Sequence, residues 1–161
     1  MRFGRIFKVI WLGMIVTAIW ACGVSTEIPL GPVAKEIEAR GYSAQKRFAS
    51  PPSNWEISKF RMRNRVVVAF KAKQPLPNEN ENYYCRFSLA EETYDSENDA
   101  RQRLAQLHNI FPDGPYEDEY TRALREGFVV DRTLYILQTD ASIFQPEIRR
   151  LSKILASLRT G

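Results

Sequence analysis

The stretch RVVVAFKAK, residues 65–73, decides how the rest of the chain is interpreted. Its run of strand-forming residues predicts a β-strand. After a polar loop, the stretch YYCRFSLA, residues 83–90, alternates so that Tyr83, Cys85, Phe87 and Leu89 share one face. The two stretches therefore predict two strands of one sheet, with the Cys85 thiol buried as a small hydrophobic group.

Two amphipathic helices are predicted from apolar residues at spacings of three and four. Ser96 and Asp99 form a near capping box at the start of the first helix, whose apolar series is Ala100, Leu104, Leu107 and Phe111. The second helix begins at Pro146 and its apolar series is Ile148, Leu151, Leu155 and Leu158. Between the helices, residues 122–130 and 133–139 predict a hairpin.

The remaining patterns complete a fold prediction. Residues 33–40 predict a short helix closed by Gly41, and alternation near Trp55 predicts an extra strand that turns at Arg63-Asn64. The order strand, strand, helix then occurs twice, which is compatible with two ββα units. Because two amphipathic helices need a sheet to cover, we predict an α+β fold: an antiparallel sheet of about five strands with both helices on one face. Residues 33–161 are predicted to form a single domain.

The N-terminus has the anatomy of an export signal. Arg2, Arg5 and Lys8 precede an apolar run from Val9 to Trp20, and no acidic residue lies among residues 2–8. The run is shorter than the roughly 20 residues that span a bilayer comfortably, and the positive charge before it keeps that end in the cytoplasm. The chain that follows is therefore predicted to be exported.

The run ends in Ile19-Trp20-Ala21-Cys22-Gly23, which resembles the lipobox of bacterial lipoproteins. The resemblance implies a signal peptide over residues 1–21, acyl chains such as palmitate on Cys22, and a tether over residues 22–32. It also implies a cell-envelope protein anchored in a membrane and facing the periplasm, with the outer membrane favoured by Gly23. Two other interpretations stay open, an uncleaved single-span anchor and ordinary cleavage near Ala21 or Gly23; all three export the domain.

Composition excludes several chemistries. The chain is 44% hydrophobic and 26% charged, so it can form a core, and a net charge of +4 favours anionic partners without indicating nucleic acid. His108, Cys22 and Cys85 are too few for a structural zinc site. Since the sequence has no phosphate-binding glycine loop, nucleotide fingerprint or hydrolase motif, we expect no cofactor, no metal and no enzymatic activity.

The acidic residues 91–99 have two interpretations. Positions 95, 97 and 99 alternate as at the start of a calcium loop, but Ala100 and Gln106 stand where that loop needs its glycine and glutamate. Acidic residues that open a helix are favoured by the helix dipole alone. A carbohydrate or cell-wall hydrolase is the functional alternative, with carboxylates from Glu91, Glu92 or Asp95.

Six basic residues are the best functional candidate in the sequence. They alternate along the predicted first hairpin and continue on the next strand: Lys59, Arg61, Arg63, Arg65, Lys71 and Lys73. Charged residues of this kind commonly protect a sheet edge from further pairing. The functional interpretation is an anion-binding or membrane-surface face.

These observations give a leading hypothesis and two alternatives. The leading hypothesis is a small non-enzymatic envelope lipoprotein, held to the membrane by its acylated N-terminus, that binds or scaffolds an envelope protein or an anionic envelope component. The alternatives are the hydrolase and a single-span inner-membrane subunit of a larger complex.

Overall fold

A computed structural model describes residues 28–76, 82–108 and 124–158. Its elements in chain order are α1 (Pro32–Ala39), β1 (Tyr42–Ala49), α2 (Asn54–Phe60), β2 (Met62–Ala72), β3 (Arg86–Tyr94), α3 (Glu97–His108), β4 (Arg125–Val130), β5 (Thr133–Gln138), a 3-10 turn (Ser142–Phe144) and α4 (Gln145–Ser157). The predicted export segment, Cys22 and Phe111 lie outside the described residues. Within the described part of the chain, no helix is long and apolar enough to cross a membrane.

The five strands form one sheet in the order β1-β2-β3-β5-β4, and every neighbouring pair is antiparallel. The predicted α+β class with an antiparallel sheet of five strands is thereby confirmed. The hairpin at Asp131-Arg132 joins β4 to β5 as predicted, and Asp131 takes the left-handed conformation, with φ of 52°, that a tight turn requires.

Each face of the sheet packs against its own pair of helices. The face covered by α1 and α4, here called the closed face, holds the larger core, which includes Val33, Ile37, Val68, Phe70, Leu89, Leu137, Ile148 and Leu151. The opposite face, here called the open face, packs α2 and α3 over a smaller core of Phe60, Met62, Tyr94, Ala100, Leu107, Leu134 and Ile136. The two cores meet in β5, where Leu134 and Ile136 alternate with Tyr135 and Leu137.

The predicted placement of the two amphipathic helices on one face needs correction, since α3 lies on the open face and α4 on the closed face. The physical reason is β5, whose apolar residues point both ways and need cover on both sides. In the sheet, β2-β3 is followed by β5-β4, so the second pair has the reverse order of the first, and β3 runs antiparallel to β5. A twofold rotation that superposed one pair on the other would have its axis perpendicular to the sheet and would leave both helices on the same face. The two ββα units therefore share chain order and no rotational symmetry.

The extra strand predicted near Trp55 is also corrected. Residues 54–60 form the helix α2, because Ser53 and Glu56 make a complete capping box: the Ser53 hydroxyl accepts from the Glu56 backbone N–H, and the Glu56 carboxylate accepts from the Ser53 backbone N–H. Arg63-Asn64, predicted as a turn, lies inside β2. The fifth strand is β1 instead, an edge strand with a register irregularity between Ala44 and Lys46.

Strand register defines two ends of the domain. At the entry end, the chain arrives at Gly31, beside Glu91 of β3, and α2 and the β4–β5 turn lie at this same end. From there α1 runs to the far end, where Gly41 accepts a hydrogen bond from the Lys73 backbone N–H. A Cβ at position 31 would lie 2.5 Å from Glu91 Oε2, so a larger residue there would displace the Glu91 carboxylate.

Candidate functional site: a groove on the open face

A groove runs along the part of the open face that α3 leaves uncovered. The helix α3 contacts mainly β3, β4 and β5, and its Leu104 side chain fits against Gly127, where a Cβ would come within 2.9 Å. The adjoining surface of β2 and β3 carries short side chains, Ala69, Ser88 and Ala90, which are only partly buried. Short side chains beside a covering helix leave a trough in the surface.

Two adjoining depressions make up this groove. One, of about 550 Å³, lies toward the far end and is lined by residues that include Ala69, Lys71, Arg86 and Asp140. The other, of about 330 Å³, lies toward the entry end and is lined by residues that include Arg65, Glu92, Arg103 and Arg125. Both are lined by Ser88 and Gln138, so they form one continuous path.

The far mouth of the groove concentrates positive charge. Lys71 of β2 and Arg86 of β3 are exposed cross-strand partners on the same face. Like charges directly opposite one another on a sheet are destabilising, and neither side chain forms an ion pair with a carboxylate among the described residues. The Lys71 ammonium lies 5.0 Å from the centroid of the Tyr84 ring, which gives it a cation–π contact.

The inner end of the groove is a buried ion-pair network. Arg65 Nε lies 2.7 Å from Glu92 Oε1, and an Arg65 Nη2–H donates to Glu56. Arg103 lies 3.6 Å from Glu56 and 3.7 Å from Glu92, while the Tyr94 hydroxyl donates to Glu92 over 2.5 Å. The side chain of Glu92 is 2% exposed and those of Glu56, Arg65 and Arg103 are 12%, 17% and 11% exposed, so two carboxylates and two guanidiniums balance in charge with little contact with water.

Ionisation in this network follows from its contacts. Burial opposes the charge on Glu56, but hydrogen bonds from Arg65 and Ser53 outweigh it and lower the pKa of the carboxyl. Burial likewise opposes the charge on Arg65, and the charges and hydrogen bonds of Glu92 and Glu56 raise the pKa of its guanidinium. Burial and the charge of Glu92 raise the pKa of Tyr94. Glu56 and Arg65 are therefore charged at neutral pH, and the Tyr94 hydroxyl is protonated.

The structure separates the six predicted basic residues instead of gathering them on one hairpin. Lys59 and Arg61 lie on or just after α2 at the entry end, and Arg63 there pairs with Asp95. Arg65 is held inside the network, and Lys71 and Lys73 lie at the far end. Arg63 and Lys71 are eight positions apart along β2, which is about 26 Å. The prediction that these residues share one basic hairpin is therefore wrong, because the helix α2 takes the place of one of its strands.

The three candidate carboxylates of the hydrolase do not converge. Glu92 belongs to the ion-pair network on the open face, and Asp95 pairs with Arg63 at the surface. Glu91 lies on the closed face, where it accepts from the Ala34 backbone N–H at the start of α1, and burial raises its pKa. Adjacent residues of a strand point to opposite faces, so Glu91 and Glu92 cannot act on one substrate.

The acidic residues before α3 act as caps and pairs. The Ser96 hydroxyl accepts from the Asp99 backbone N–H at 3.1 Å, as the predicted cap requires, and Glu97 pairs with Arg101. In the described ranges no group of three potential ligands is arranged to hold a metal ion. Cys85 is buried in the closed-face core as predicted, and burial raises the pKa of its thiol to about 12.

Sequence reasoning missed three residues that shape the groove, and two of them carried a signal. Glu56 completes the capping box with Ser53, and that spacing is visible in the sequence. Arg103 lies at helical spacing from Ala100 and Leu107, so it belongs to the buried stripe of α3. Arg86 had no such signal, because its importance comes from its register with Lys71.

Comparisons with known proteins add no family to this geometry. A scan against protein-family models and searches of the curated proteins and of the solved structures found no significant match to this chain.

Proposed function

We propose that this chain is an exported, membrane-tethered and non-enzymatic binding module whose groove on the open face holds an extended anionic ligand, an acidic component of the cell envelope. The observation that carries the proposal is the exposed pair of Lys71 and Arg86 at the far mouth. Two like charges that oppose each other across a strand pair are relieved when an anion binds between them.

The rest of the groove supports a ligand that is elongated. The two depressions continue through Ser88 and Gln138, whose side chains offer neutral hydrogen-bonding groups along the path. The two carboxylates and two guanidiniums of the inner network balance in charge, so Lys71 and Arg86 supply the positive charge of the groove. Few convergent polar groups over a partly apolar floor are typical of a binding site.

Sequence supports the tether and the compartment. The basic residues and apolar run of residues 2–20 support export, and the lipobox-like segment supports acylation of Cys22. Export into the periplasm with a membrane anchor places the domain among anionic lipids and cell-wall polymers. The engaged and divergent carboxylates Glu91, Glu92 and Asp95 favour binding over hydrolysis.

The test uses linear polyanions as probes. Binding of labelled polyphosphate and of labelled polyglutamate to the full chain is measured by fluorescence anisotropy at low salt. Each charge-assisted hydrogen bond contributes enough that Lys71→Glu with Arg86→Glu weakens binding by roughly tenfold or more. The matched control reverses two exposed charges away from the groove, Lys35→Glu with Lys153→Glu, and leaves binding close to that of the unchanged chain.

The outcomes separate specific from diffuse attraction. If both double variants weaken binding equally, the attraction comes from net charge alone and the groove is not the site. Tighter binding of polyphosphate than of polyglutamate identifies a phosphate-rich polymer as the ligand class, and the reverse preference identifies an acidic polypeptide.

A further inference from the structure

The entry end of the domain carries a cluster of three arginines around one carboxylate. Arg63 donates to Asp95, and the charges of Arg61 and Arg132 act on the same carboxyl, so all three hold its pKa below the ordinary value. The backbone connects them as well: the Asp95 N–H donates to the Arg61 carbonyl, and the Tyr94 N–H donates to the Arg132 carbonyl. Asp95 cannot neutralise three guanidiniums, and the cluster stays cationic when the exposed Asp131 beside Arg132 is counted as well.

The helix α2 extends this cationic end with apolar and basic side chains. Trp55 is 36% exposed and Ile57 is 47% exposed, although both are large hydrophobic residues. The Trp55 ring packs edge-to-face on Phe60 with centroids 5.3 Å apart, so it is held in place while part of it faces solvent. Lys59 in the last turn adds one more positive charge. An exposed tryptophan among basic residues suits a membrane–water interface.

The chain enters the domain at this same end. Gly31 lies against Glu91 of β3. Glu91 pairs with Val66 of β2, and Val66 pairs on its other side with Ala49, the last residue of β1 before the connection to α2. Only five residues separate Cys22 from Ile28 in the sequence. At about 3.5 Å per residue, a chain held at Cys22 keeps the entry end within roughly 20 Å of the bilayer.

We propose that the entry end, formed by α2 with Trp55, Ile57 and Lys59 and by the arginine cluster Arg61, Arg63 and Arg132, docks on an anionic lipid surface. The inference rests on the membrane tether of the proposed function. It adds an orientation: the entry end faces the lipid headgroups, and the far mouth of the groove with Lys71 and Arg86 points away from them. Basic residues near an anionic leaflet and an interfacial tryptophan act together in this mode of docking.

The test makes Trp55 a reporter. The chain has three tryptophans, Trp11, Trp20 and Trp55, so Trp11→Phe with Trp20→Phe leaves Trp55 alone. This variant, extracted from the membrane in which its N-terminus is processed, is reconstituted into phosphatidylcholine vesicles with and without phosphatidylglycerol, and with brominated acyl chains as the quencher. We expect Trp55 emission to shift to the blue and to be quenched in the vesicles that contain phosphatidylglycerol.

Matched charge reversals give the decisive comparison. Lys59→Glu with Arg132→Glu removes two basic residues at the entry end and weakens docking by roughly 30-fold, so quenching is lost. Lys73→Glu with Lys153→Glu makes the same change in net charge at the far end and on α4, and quenching remains.

Vesicle flotation separates the two ways of failing. A chain that floats with the vesicles but shows equal quenching in both double variants, or none at all, overturns the docking surface and leaves the tether standing. A chain that does not float overturns the tether, and with it the docking surface.

Discussion

The two faces of the sheet solve the same packing problem differently. The closed face is covered by two helices over the larger apolar core, whereas the open face is covered in part and places four charged residues, Glu56, Arg65, Glu92 and Arg103, beside its smaller apolar core. Apolar packing tolerates no gaps, so the closed face offers little room for a ligand. The open face combines a charged network with an uncovered trough, which is why the proposed binding site lies there.

The largest effect is expected from Glu92→Ala, because it removes one carboxylate from a buried network and leaves Arg65 and Arg103 with Glu56 alone. Breaking a buried ion pair in this way costs about 4 kcal/mol of unfolding free energy, measured by urea denaturation followed by circular dichroism. Asp95→Ala breaks an exposed pair and serves as the control, for which little change is expected. Equal losses in both variants would mean that the network contributes no more than a surface pair.

A matched pair on β2 tests the contrast between the faces directly. Val68 is fully buried on the closed face, and its neighbour Val67 is partly exposed on the floor of the groove. Val68→Ala should lower the unfolding free energy by about 2 kcal/mol, since it loses buried area and leaves a cavity. Val67→Ala should cost less than about 1 kcal/mol for its smaller loss of buried area. A larger loss for Val67→Ala would show that the open face is covered in solution.

The smallest effect is a pH dependence at Glu91, the neighbour of Glu92 on the other face. Burial raises the pKa of Glu91 in the folded protein above its ordinary value of 4.5. The folded state then binds the proton more tightly than the unfolded state. The contribution of this carboxyl to the unfolding free energy is therefore lost as pH rises through the raised pKa. Glu91→Gln keeps an acceptor oxygen and removes the charge.

The unfolding free energy of Glu91→Gln, relative to the unchanged chain, should therefore increase between pH 4 and pH 7.5. Denaturant titrations across that range measure it, with Glu97→Gln at the surface as the control. A difference that decreases with pH would show that the Glu91 charge stabilises α1 more than its burial costs.

Periodicity predicted the elements whose buried faces are regular. The apolar series of α3 and α4 and the alternation along β3 are long enough to outweigh local propensity, and the structure has these elements within a few residues. The strand β1 was missed because it is a polar edge strand whose irregularity between Ala44 and Lys46 shifts the alternation. Residues 54–60 were assigned as a strand although Ser53 and Glu56 spell out a capping box.

The groove was less predictable than the fold. Lys71 was named as a candidate from charge alone, but its pairing with Arg86 depends on a register set across the connection between β2 and β3. The trough depends on which strands α3 leaves uncovered, and no local pattern encodes that. Arg65 is predicted to bind an anion, but in the structure it pairs with Glu56 of α2 and Glu92 of β3. These partners come from two other elements, so the sequence around Arg65 does not reveal them.

The contact between Gly31 and Glu91 has a mechanical consequence. A pull on residues 28–31 does not simply peel an edge from the domain, because Glu91 belongs to β3, the central strand, and also holds the Ala34 backbone N–H. The load passes from the start of α1 into the middle of the sheet, where β2 and β5 flank β3 with antiparallel ladders. The first point of attachment is thus linked through Glu91 to the central strand and not to an edge of the sheet.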